Sequence, residues 1–294
     1  MTKKNLPLLP AASARAGISF DLPQAALARW NPAIQAASND EQSISIFDPI
    51  GYDPWTGDGV TAKRIAGALR AMDGKDVTVN INSPGGDMFE GLAIYNLLRE
   101  HKGAVTVKVM GVAASAASII AMAGDTVEIG RSAFLMIHNC WIVAVGNKSE
   151  LRAAADTIEP FDRAMADVYS ARTGLDFKAV AKLMDAETFI GGSDAVEQGF
   201  ADSLLPADQI TEKTGAAGTT AARALDTALA KSGMPRSERR RLVNEIKGTP
   251  SAAQEGTPSA AQEGTPSAAE SAHLAGPTAA LLGALARFES AASQ

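Results

Sequence analysis

The sequence predicts an α/β fold with a largely parallel sheet. Three observations favour this class. Apolar segments of strand length alternate with helical patterns between residues 41 and 207, which is the order of βαβ units. Glycine follows each of the four clearest helical patterns, where C-terminal caps are expected. The composition, 46% hydrophobic and 20% charged, is ordinary for a globular protein.

The predicted elements follow one another in a regular order. The strands are "SISIFD" (43–48), "DVTVNI" (76–81), "AVTVKVMGV" (104–112) and "AFLMIH" (133–138), and the helices are 60–73, 89–101, 115–123 and about 149–173. The glycines expected to cap these helices are Gly74, Gly103, Gly124 and Gly174. Pro160 lies inside the fourth helix and predicts a kink or a break there.

Composition divides the chain into five segments. Residues 1–40 are rich in alanine and proline and are predicted to form an N-terminal arm, and residues 41–207 are predicted to form the body. Residues 208–247 are predicted to form two further helices, of which the second, "RSERRRLVNEIK", is strongly basic. Copies of "GTPSAAQE" make residues 248–276 a low-complexity linker, and residues 277–294 carry an amphipathic helix.

The composition also disfavours several function classes. A formal net charge of −6 argues against nucleic acid as the main partner. The single cysteine, Cys140, excludes an intrachain disulfide and fits the reducing cytoplasm. No Cys/His cluster has zinc spacing, and no metal is expected. No run of 18 apolar residues occurs, so no membrane span is expected. A cofactor is not expected either. The start, "MTKKNLPLLPAASARAG", is predicted to be an unstructured arm or a trimmed extension rather than a secretory signal.

His138 is the best candidate for a general base. His273 lies in the repeat tail and His101 at the end of a helix that we expect to be exposed, whereas His138 ends the apolar strand "FLMIHN". Functional groups in open α/β sheets collect at such strand ends. A partly buried structural histidine is the alternative interpretation.

The segment "INSPGGD" (81–87) follows a strand and is a candidate oxyanion site. Pro84 and Gly85 suit the central positions of a type II turn, in which Gly85 supplies a positive φ. Such a turn can leave the amide of Gly86 unpaired in a cleft, where an N–H stabilises a developing oxyanion. A turn without function is the alternative.

Ser115 is the candidate nucleophile. It precedes the helical run "AASIIAMA", which places its hydroxyl at the positive end of the helix dipole. A small packing residue is the alternative, and Ser118, one turn later, is predicted to serve only in packing. No G-x-S-x-G elbow occurs, which disfavours an α/β-hydrolase, and no G-x-x-x-x-G-K-[ST] motif indicates an ATPase.

Taken together and in this order, these segments resemble the proteolytic subunit of the Clp protease, ClpP, and its relatives in phages and prophages. "NSPGGDMFEGLAIYNLL" is similar to that family's turn and following helix, "GVAASAASIIAMAG" to its G-x-A-A-S nucleophile segment, and "LMIHN" to its histidine strand. "ETFIGGSDAVEQGFADSL" resembles its closing segment, and the likeness covers roughly residues 41–206. The resemblance implies a ClpP/crotonase-like fold of repeated ββα and βαβ units.

The resemblance also implies roles for individual residues. It makes Ser115 the nucleophile and His138 the base, with the backbone amides of Gly86 and Ala116 as oxyanion donors. The family's triad aspartate aligns with Glu187, which can also orient an imidazole.

Alternatives remain for the acid and for the nucleophile. Asp185, two residues before Glu187, is the reserve for the acid, and Glu187 as a mere surface carboxylate is the alternative. Cys140 lies two residues past His138, on the same face of a strand, and is an alternative nucleophile. No helix terminus or second base supports it, so a structural cysteine is favoured.

Two further expectations follow from the resemblance. Asp87 and Met88 are expected to be extended and to bind the substrate backbone as an added strand. The long helix corresponds to the part that packs rings of subunits together in the family, and a homo-oligomer is predicted. Its apolar stripe is Ile158, Phe161, Met165 and Val168, although Pro160 argues against a Clp-style double ring.

The function predicted from these features is an ATP-independent serine endopeptidase of phage type. It would act in prohead or capsid maturation on scaffold, capsid or portal proteins, in the host cytoplasm or inside the procapsid. The helices at 235–247 and 277–292 are predicted to bind scaffold or coat protein. The alternatives are a housekeeping ClpP subunit with a separate unfoldase, a crotonase-type acyl-CoA enzyme, and a non-catalytic scaffold-like assembly factor.

Overall fold

A computed structural model of the chain describes residues 6–10, 22–37, 41–53 and 58–212. Between 225 and 242 it also describes residues 225–226, 228–230, 232, 234–235, 238–239 and 241–242. The predicted linker at 248–276 and the predicted terminal helix at 277–294 lie outside the described residues, as does most of the basic helix. Within the described residues, no helix is both long enough and apolar enough to cross a bilayer.

The elements alternate along the body as predicted. In chain order they are α1 (Gln24–Arg29), β1 (Ile34–Ala36), β2 (Ser43–Ile46), β3 (Gly51–Asp53), β4 (Asp58–Val60), α2 (Ala62–Ala71), β5 (Val77–Ser83), α3 (Met88–Glu100), β6 (Val105–Ala114), α4 (Ala116–Met122), β7 (Thr126–Gly130), β8 (Phe134–Ile137), α5 (Lys148–Thr173), α6 (Phe177–Asp185), β9 (Thr188–Gly191), α7 (Gly192–Glu197), β10 (Ser203–Leu205) and β11 (Ile210–Glu212). A 3₁₀ turn at Ala207–Gln209 precedes β11.

A mostly parallel seven-stranded sheet forms the centre of the fold and confirms the predicted class. Five strands lie in the order β10-β7-β6-β5-β2, and every neighbouring pair is parallel. β8 pairs in parallel with the last residues of β6, and β9 is antiparallel to β8. The carboxyl ends of β5, β6 and β8 therefore meet at one edge, which is where ligand and catalytic groups collect in such sheets.

Both faces of the sheet are covered near this edge. Ala113 of β6 and Leu135 of β8 belong to the main core, which also contains the buried residues of α3, α4 and α5. Side chains alternate along a strand, so Ala114 and Met136 point to the other face, where they pack with Trp30 in a second cluster. This edge of the sheet thus lies between two apolar layers.

The predicted N-terminal arm at 1–40 is wrong for residues 22–37. Leu27 of α1 is buried in the second cluster, and β1 pairs with β11 in an antiparallel ribbon. The ribbon also corrects the prediction for 208–247, because Ile210–Glu212 is a strand rather than part of a helix. Further along, the backbone is helical at the described residues 225–226, 228–230, 238–239 and 241–242.

Several helix ends differ from their predictions. Gly174 caps α5 with φ 77°, as expected, but α2, α3 and α4 have Met72, His101 and Ala123 as their C-caps. The caps predicted at Gly74, Gly103 and Gly124 are therefore wrong. A Cβ at Gly103 would lie 2.2 Å from Lys75 O, so this glycine permits a close backbone contact instead.

α5 runs without a break from Lys148 to Thr173 through Pro160, so of the predicted kink or break, the break is wrong. Proline removes one helical hydrogen bond, but tertiary packing can hold the turn together. Phe161, the next residue, packs edge-on against Phe89 of α3 with ring centroids 5.8 Å apart.

Candidate active site

Ser115 stands between the end of β6 and the start of α4. Its backbone has φ 56° and ψ −124°, a conformation that residues other than glycine rarely adopt. Such a conformation costs about 1–3 kcal/mol and persists only where neighbours hold it, which is common at catalytic sites. One restraint is the Ser115 amide, which donates to Met136 O at 2.9 Å. The backbone thus turns sharply and presents the hydroxyl at the edge of the sheet.

His138 directly follows β8 and faces this serine. Because β8 pairs in parallel with the last residues of β6, the two strand ends lie side by side. Ser115 Oγ is 2.6 Å from His138 Nε2. Burial lowers the pKa of His138, and the nearby Glu187 charge opposes that shift. A lowered pKa keeps the imidazole neutral near pH 7, the form that accepts a proton from a hydroxyl.

The other histidine that the structure describes lies elsewhere. His101 is buried, which corrects the exposed position expected for it, and its Nε2 lies 2.7 Å from Lys75 O. Lys75 precedes β5, at the end of the sheet opposite to Ser115.

The segment after β5 passes next to Ser115. Gly85 has φ 94°, the sign that the predicted turn needs, and a Cβ there would lie 2.7 Å from Ser115 Cβ. Ile50 N donates to Gly85 O at 2.7 Å, and Asp87 N donates to Ile50 O at 3.0 Å. These two bonds flank Gly86, whose own N–H donates to no acceptor within the described parts of the chain.

Ala116 provides a second amide beside the serine. As the first residue of α4 it has no acceptor within the helix, and no described residue outside the helix accepts its N–H. Together with Gly86, it lines the pocket that contains Ser115 Oγ and His138. Two unpaired amides beside a hydroxyl are what an oxyanion site requires.

Asp87 is extended as predicted, with φ −61° and ψ 113°, but Met88 is helical, which corrects the conformation predicted for Met88. Asp87 is the N-cap of α3, and its carboxylate accepts from the amides of Phe89 and Glu90. Its own amide is already bonded to Ile50 O, and Met88 is the first residue of the helix. Neither residue can therefore pair with a substrate strand in the way expected, although the Met88 side chain lines the pocket.

The two candidate acids have different partners. Glu187 has φ 48° and follows α6, and its charge acts on His138. No hydrogen bond joins these two side chains among the residues described. Asp185 instead accepts a hydrogen bond from Asn139 Nδ2 at 2.8 Å. The charge of Glu187 therefore acts on the imidazole, whereas Asp185 is hydrogen-bonded to the neighbouring Asn139.

The pocket beside Ser115 is mainly apolar. Its wall contains Met88, Leu92, Ile119 and Met165, and Trp141 stands at its mouth with 49% of its surface exposed. Sequence analysis assigned no pocket role to Leu92, Ile119 or Met165, because each comes from a helix face that resembles ordinary core.

Cys140 also lines this pocket but is poorly suited to act as a nucleophile. Burial raises the pKa of its thiol, and the Asp162 carboxylate raises it further. A protonated thiol is a weak nucleophile. Asp162 also accepts a hydrogen bond from the Cys140 amide, and so ties the segment after His138 to α5.

A buried asparagine connects the back of the site to the N-terminal segment. Asn82, the residue before Ser83-Pro84-Gly85-Gly86, is fully buried. Its Nδ2 donates to Asn31 O and Ile34 O, and its Oδ1 accepts from Val112 N. Trp30 Nε1 donates to Asn82 O at 3.0 Å. Sequence analysis missed this support because it links residues about 50 positions apart.

The body of the chain is similar to known proteins. The family described as Clp protease matches residues 54–208, which is more than half of the chain. The ATP-dependent Clp protease proteolytic subunit 1 of Prochlorococcus marinus is 31% identical over 151 residues, covering 49% of this chain and 77% of that protein. The ATP-dependent Clp protease proteolytic subunit of Deinococcus radiodurans is 29% identical over 195 residues, covering 62% of this chain and 94% of that protein.

Proposed function

The chain belongs to the Clp protease family and is a serine peptidase of that family, and we propose that Ser115 and His138 carry out its chemistry. The observation that carries the proposal is the 2.6 Å approach of Ser115 Oγ to His138 Nε2 beside two unpaired amides. A nucleophile, a base and an oxyanion site are the minimum set for acyl transfer.

In the proposed mechanism, neutral His138 accepts the Ser115 proton while Oγ attacks a peptide carbonyl. The amides of Gly86 and Ala116 donate to the resulting oxyanion, and His138 then gives its proton to the leaving amine. A water molecule, deprotonated by the same imidazole, hydrolyses the ester and restores Ser115. Water attack thus completes the hydrolysis of the peptide bond.

Glu187 is proposed as the acid of the triad. Its negative charge favours the imidazolium that forms during attack, and the direction of its effect on the pKa of His138 supports this role. Asp185 is assigned instead to holding Asn139, the residue after the base, through their hydrogen bond.

The substrates are proposed to be proteins that present an apolar side chain to the pocket. The pocket wall supports this, because Met88, Leu92, Ile119 and Met165 offer little polar surface. A homo-oligomer is also proposed. Large apolar side chains are exposed close together in sequence after the base, namely Trp141, Val143, Val145 and Leu151, and such patches typically mark protein contacts.

We place the activity in phage capsid maturation, without a separate unfoldase. Support comes from the segments outside the family match, which include the basic stretch at 235–247 and the repeats from 248, both suited to binding partners and tethering. A housekeeping subunit working with an unfoldase is the second candidate, favoured by the ATP-dependent subunits among the relatives. Cleavage of a folded scaffold or capsid protein by the purified chain alone distinguishes the two.

Labelling with a fluorophosphonate tests the chemistry. Wild-type protein is expected to be labelled, Ser115→Ala to lose the label, and Glu187→Gln to react more slowly. Ser132→Ala is the matched control, because Ser132 is exposed between β7 and β8, and its labelling is expected to equal wild type. Wild-type protein that is folded and oligomeric but takes no label would contradict the proposal.

A further inference from the structure

Ser118 makes polar contacts that its predicted packing role does not explain. The residue is fully buried in α4. Its Oγ lies 2.7 Å from Ser115 O and 2.7 Å from Tyr169 Oη. Tyr169 belongs to α5, so this chain of hydroxyls joins a distant helix to the backbone of the proposed nucleophile.

We infer that Tyr169 and Ser118 form a hydrogen-bond relay that positions Ser115 and the oxyanion amide of Ala116. This inference rests on the proposed role of Ser115. Both residues are positioning residues, since neither lines the pocket beside the serine hydroxyl.

The direction of the relay follows from the chemistry of its last member. A carbonyl oxygen can only accept, so the Ser118 hydroxyl must donate to Ser115 O. That hydroxyl has one proton, so Tyr169 Oη must donate to Ser118 Oγ. Burial raises the pKa of Tyr169, which keeps its phenol protonated and able to donate.

The carbonyl that receives this bond belongs to a strained residue. Ser115 has a positive φ, and its carbonyl also accepts from the amides of Ser118 at 2.9 Å and Ile119 at 3.4 Å. The Ser118 hydroxyl is thus a third donor on one oxygen, and its contact is the shortest of the three. Three donors fix where this carbonyl points.

The orientation of this carbonyl determines that of the proposed oxyanion donor. Ser115 C=O and Ala116 N–H belong to the same peptide unit, which is planar and places the two groups on opposite sides. Holding the carbonyl toward Ser118 therefore directs the Ala116 N–H away from it, toward the pocket that both residues line. A tilt of this plane would misalign the donor with the developing oxyanion.

The far end of the relay is firmly anchored. Tyr169 is 1% exposed, and its ring packs against Phe200 with centroids 6.0 Å apart. Met165 lies one turn earlier on the same side of α5 and forms part of the pocket wall. Asp162 lies two turns earlier and accepts a hydrogen bond from the Cys140 amide. One face of α5 therefore supports the proposed site at three points.

Removal of each hydroxyl tests the relay. Tyr169→Phe and Ser118→Ala delete one hydroxyl each and keep most of the packing. We expect kcat and the rate of fluorophosphonate labelling to fall about threefold to tenfold, the effect of one neutral hydrogen bond, with KM changed by less than about twofold. The double variant is expected to be no slower than Ser118→Ala, because both changes break the same chain.

Tyr95→Phe is the matched control. Tyr95 is also a buried tyrosine, and its hydroxyl donates to Pro7 O at 2.8 Å, away from α4. This variant is expected to lose thermal stability to a similar degree as Tyr169→Phe while keeping the wild-type kcat. The comparison separates positioning from a general loss of stability.

The possible outcomes distinguish this inference from the proposed function. If wild-type protein is labelled and both relay variants react at the wild-type rate, the relay is overturned and the proposed function stands. Equal losses of kcat in Tyr95→Phe and Tyr169→Phe also overturn it. If folded wild-type protein takes no label, the proposed function and the relay fail together.

Discussion

Replacement of Gly86 by alanine should lower both kcat and the stability of the fold, and the two effects can be measured separately. A Cβ at this position would lie 2.2 Å from Ile50 O and 2.8 Å from Ile50 N. Non-bonded heavy atoms pack at roughly 3.5 Å, so the segment must move by about 1 Å. Gly86 also has φ 144°, a conformation nearly restricted to glycine.

Movement of the segment at Gly86 is expected to have two effects, one on stability and one on kcat. Overpacking and backbone strain should each lower the free energy of unfolding by about 1–3 kcal/mol. Displacing the amide by about 1 Å removes one oxyanion donor, which typically costs a factor of about 10²–10³ in kcat. We expect KM to change little, because the lost hydrogen bond forms mainly in the transition state.

The assay compares kcat, KM and thermal unfolding for Gly86→Ala and Gly103→Ala. Gly103 is a matched control, since its Cβ would also lie 2.2 Å from a backbone carbonyl, that of Lys75. Gly103 precedes β6 and Ser115 follows it, so Gly103 and Ser115 lie roughly 30 Å apart at the usual rise per residue of a strand. Gly103→Ala should lose stability and keep kcat. If Gly86→Ala keeps kcat within about tenfold of wild type below its melting temperature, the assignment of Gly86 as an oxyanion donor is refuted.

Three further outcomes are expected. Glu187→Gln should move the acidic limb of the pH profile of kcat/KM to lower pH, because the Glu187 charge raises the pKa of His138 and the imidazole must be neutral to act. Asp185→Asn should leave that limb in place. An equal shift in both variants would contradict the assignment of Glu187. Trp30→Phe should lower kcat more than it changes KM, because it deletes the hydrogen bond from the indole to Asn82 O behind the proposed oxyanion segment. Unchanged kinetics in the folded variant would show that this hydrogen bond does not support the site. Gly67 lies inside α2, and a Cβ there would meet only Arg70 Nη2, at 3.9 Å, apart from the backbone of the helix itself. Gly67→Ala should therefore raise the free energy of unfolding by about 0.5–1 kcal/mol in denaturant titrations. Destabilisation would contradict this expectation.

Local sequence was sufficient where a signal lies within one element. The four strands and the four helices predicted for the body at 41–207 all occur, because each has enough apolar residues in its own period to be recognised. β7, β9 and β10 escaped prediction, since runs of three to five residues carry little periodicity. Their pairing depends on neighbours that are distant in the chain.

Local sequence failed where burial comes from tertiary contacts. Residues 22–37 lack a clear period, yet Trp30 packs behind the sheet edge that carries the proposed site, and β1 pairs with β11. Asp87 was expected to pair with substrate as a strand, but a carboxylate that follows two glycines and precedes a helix can also cap that helix, and Asp87 does so. Both errors arise because a short segment does not specify which surface it will meet.

The sequence by itself determined the family of this protein and which residues are proposed for its chemistry, because the proposed nucleophile, base and glycine turn each carry a local signature in the residues around them. It also determined the parallel sheet that brings their strand ends to one edge. Only the tertiary structure decided how these groups are held: which carboxylate acts on His138, how the strained Ser115 is restrained, and which helix face forms the pocket. Those features depend on contacts between elements that are distant in the chain, whose packing no short stretch of sequence encodes.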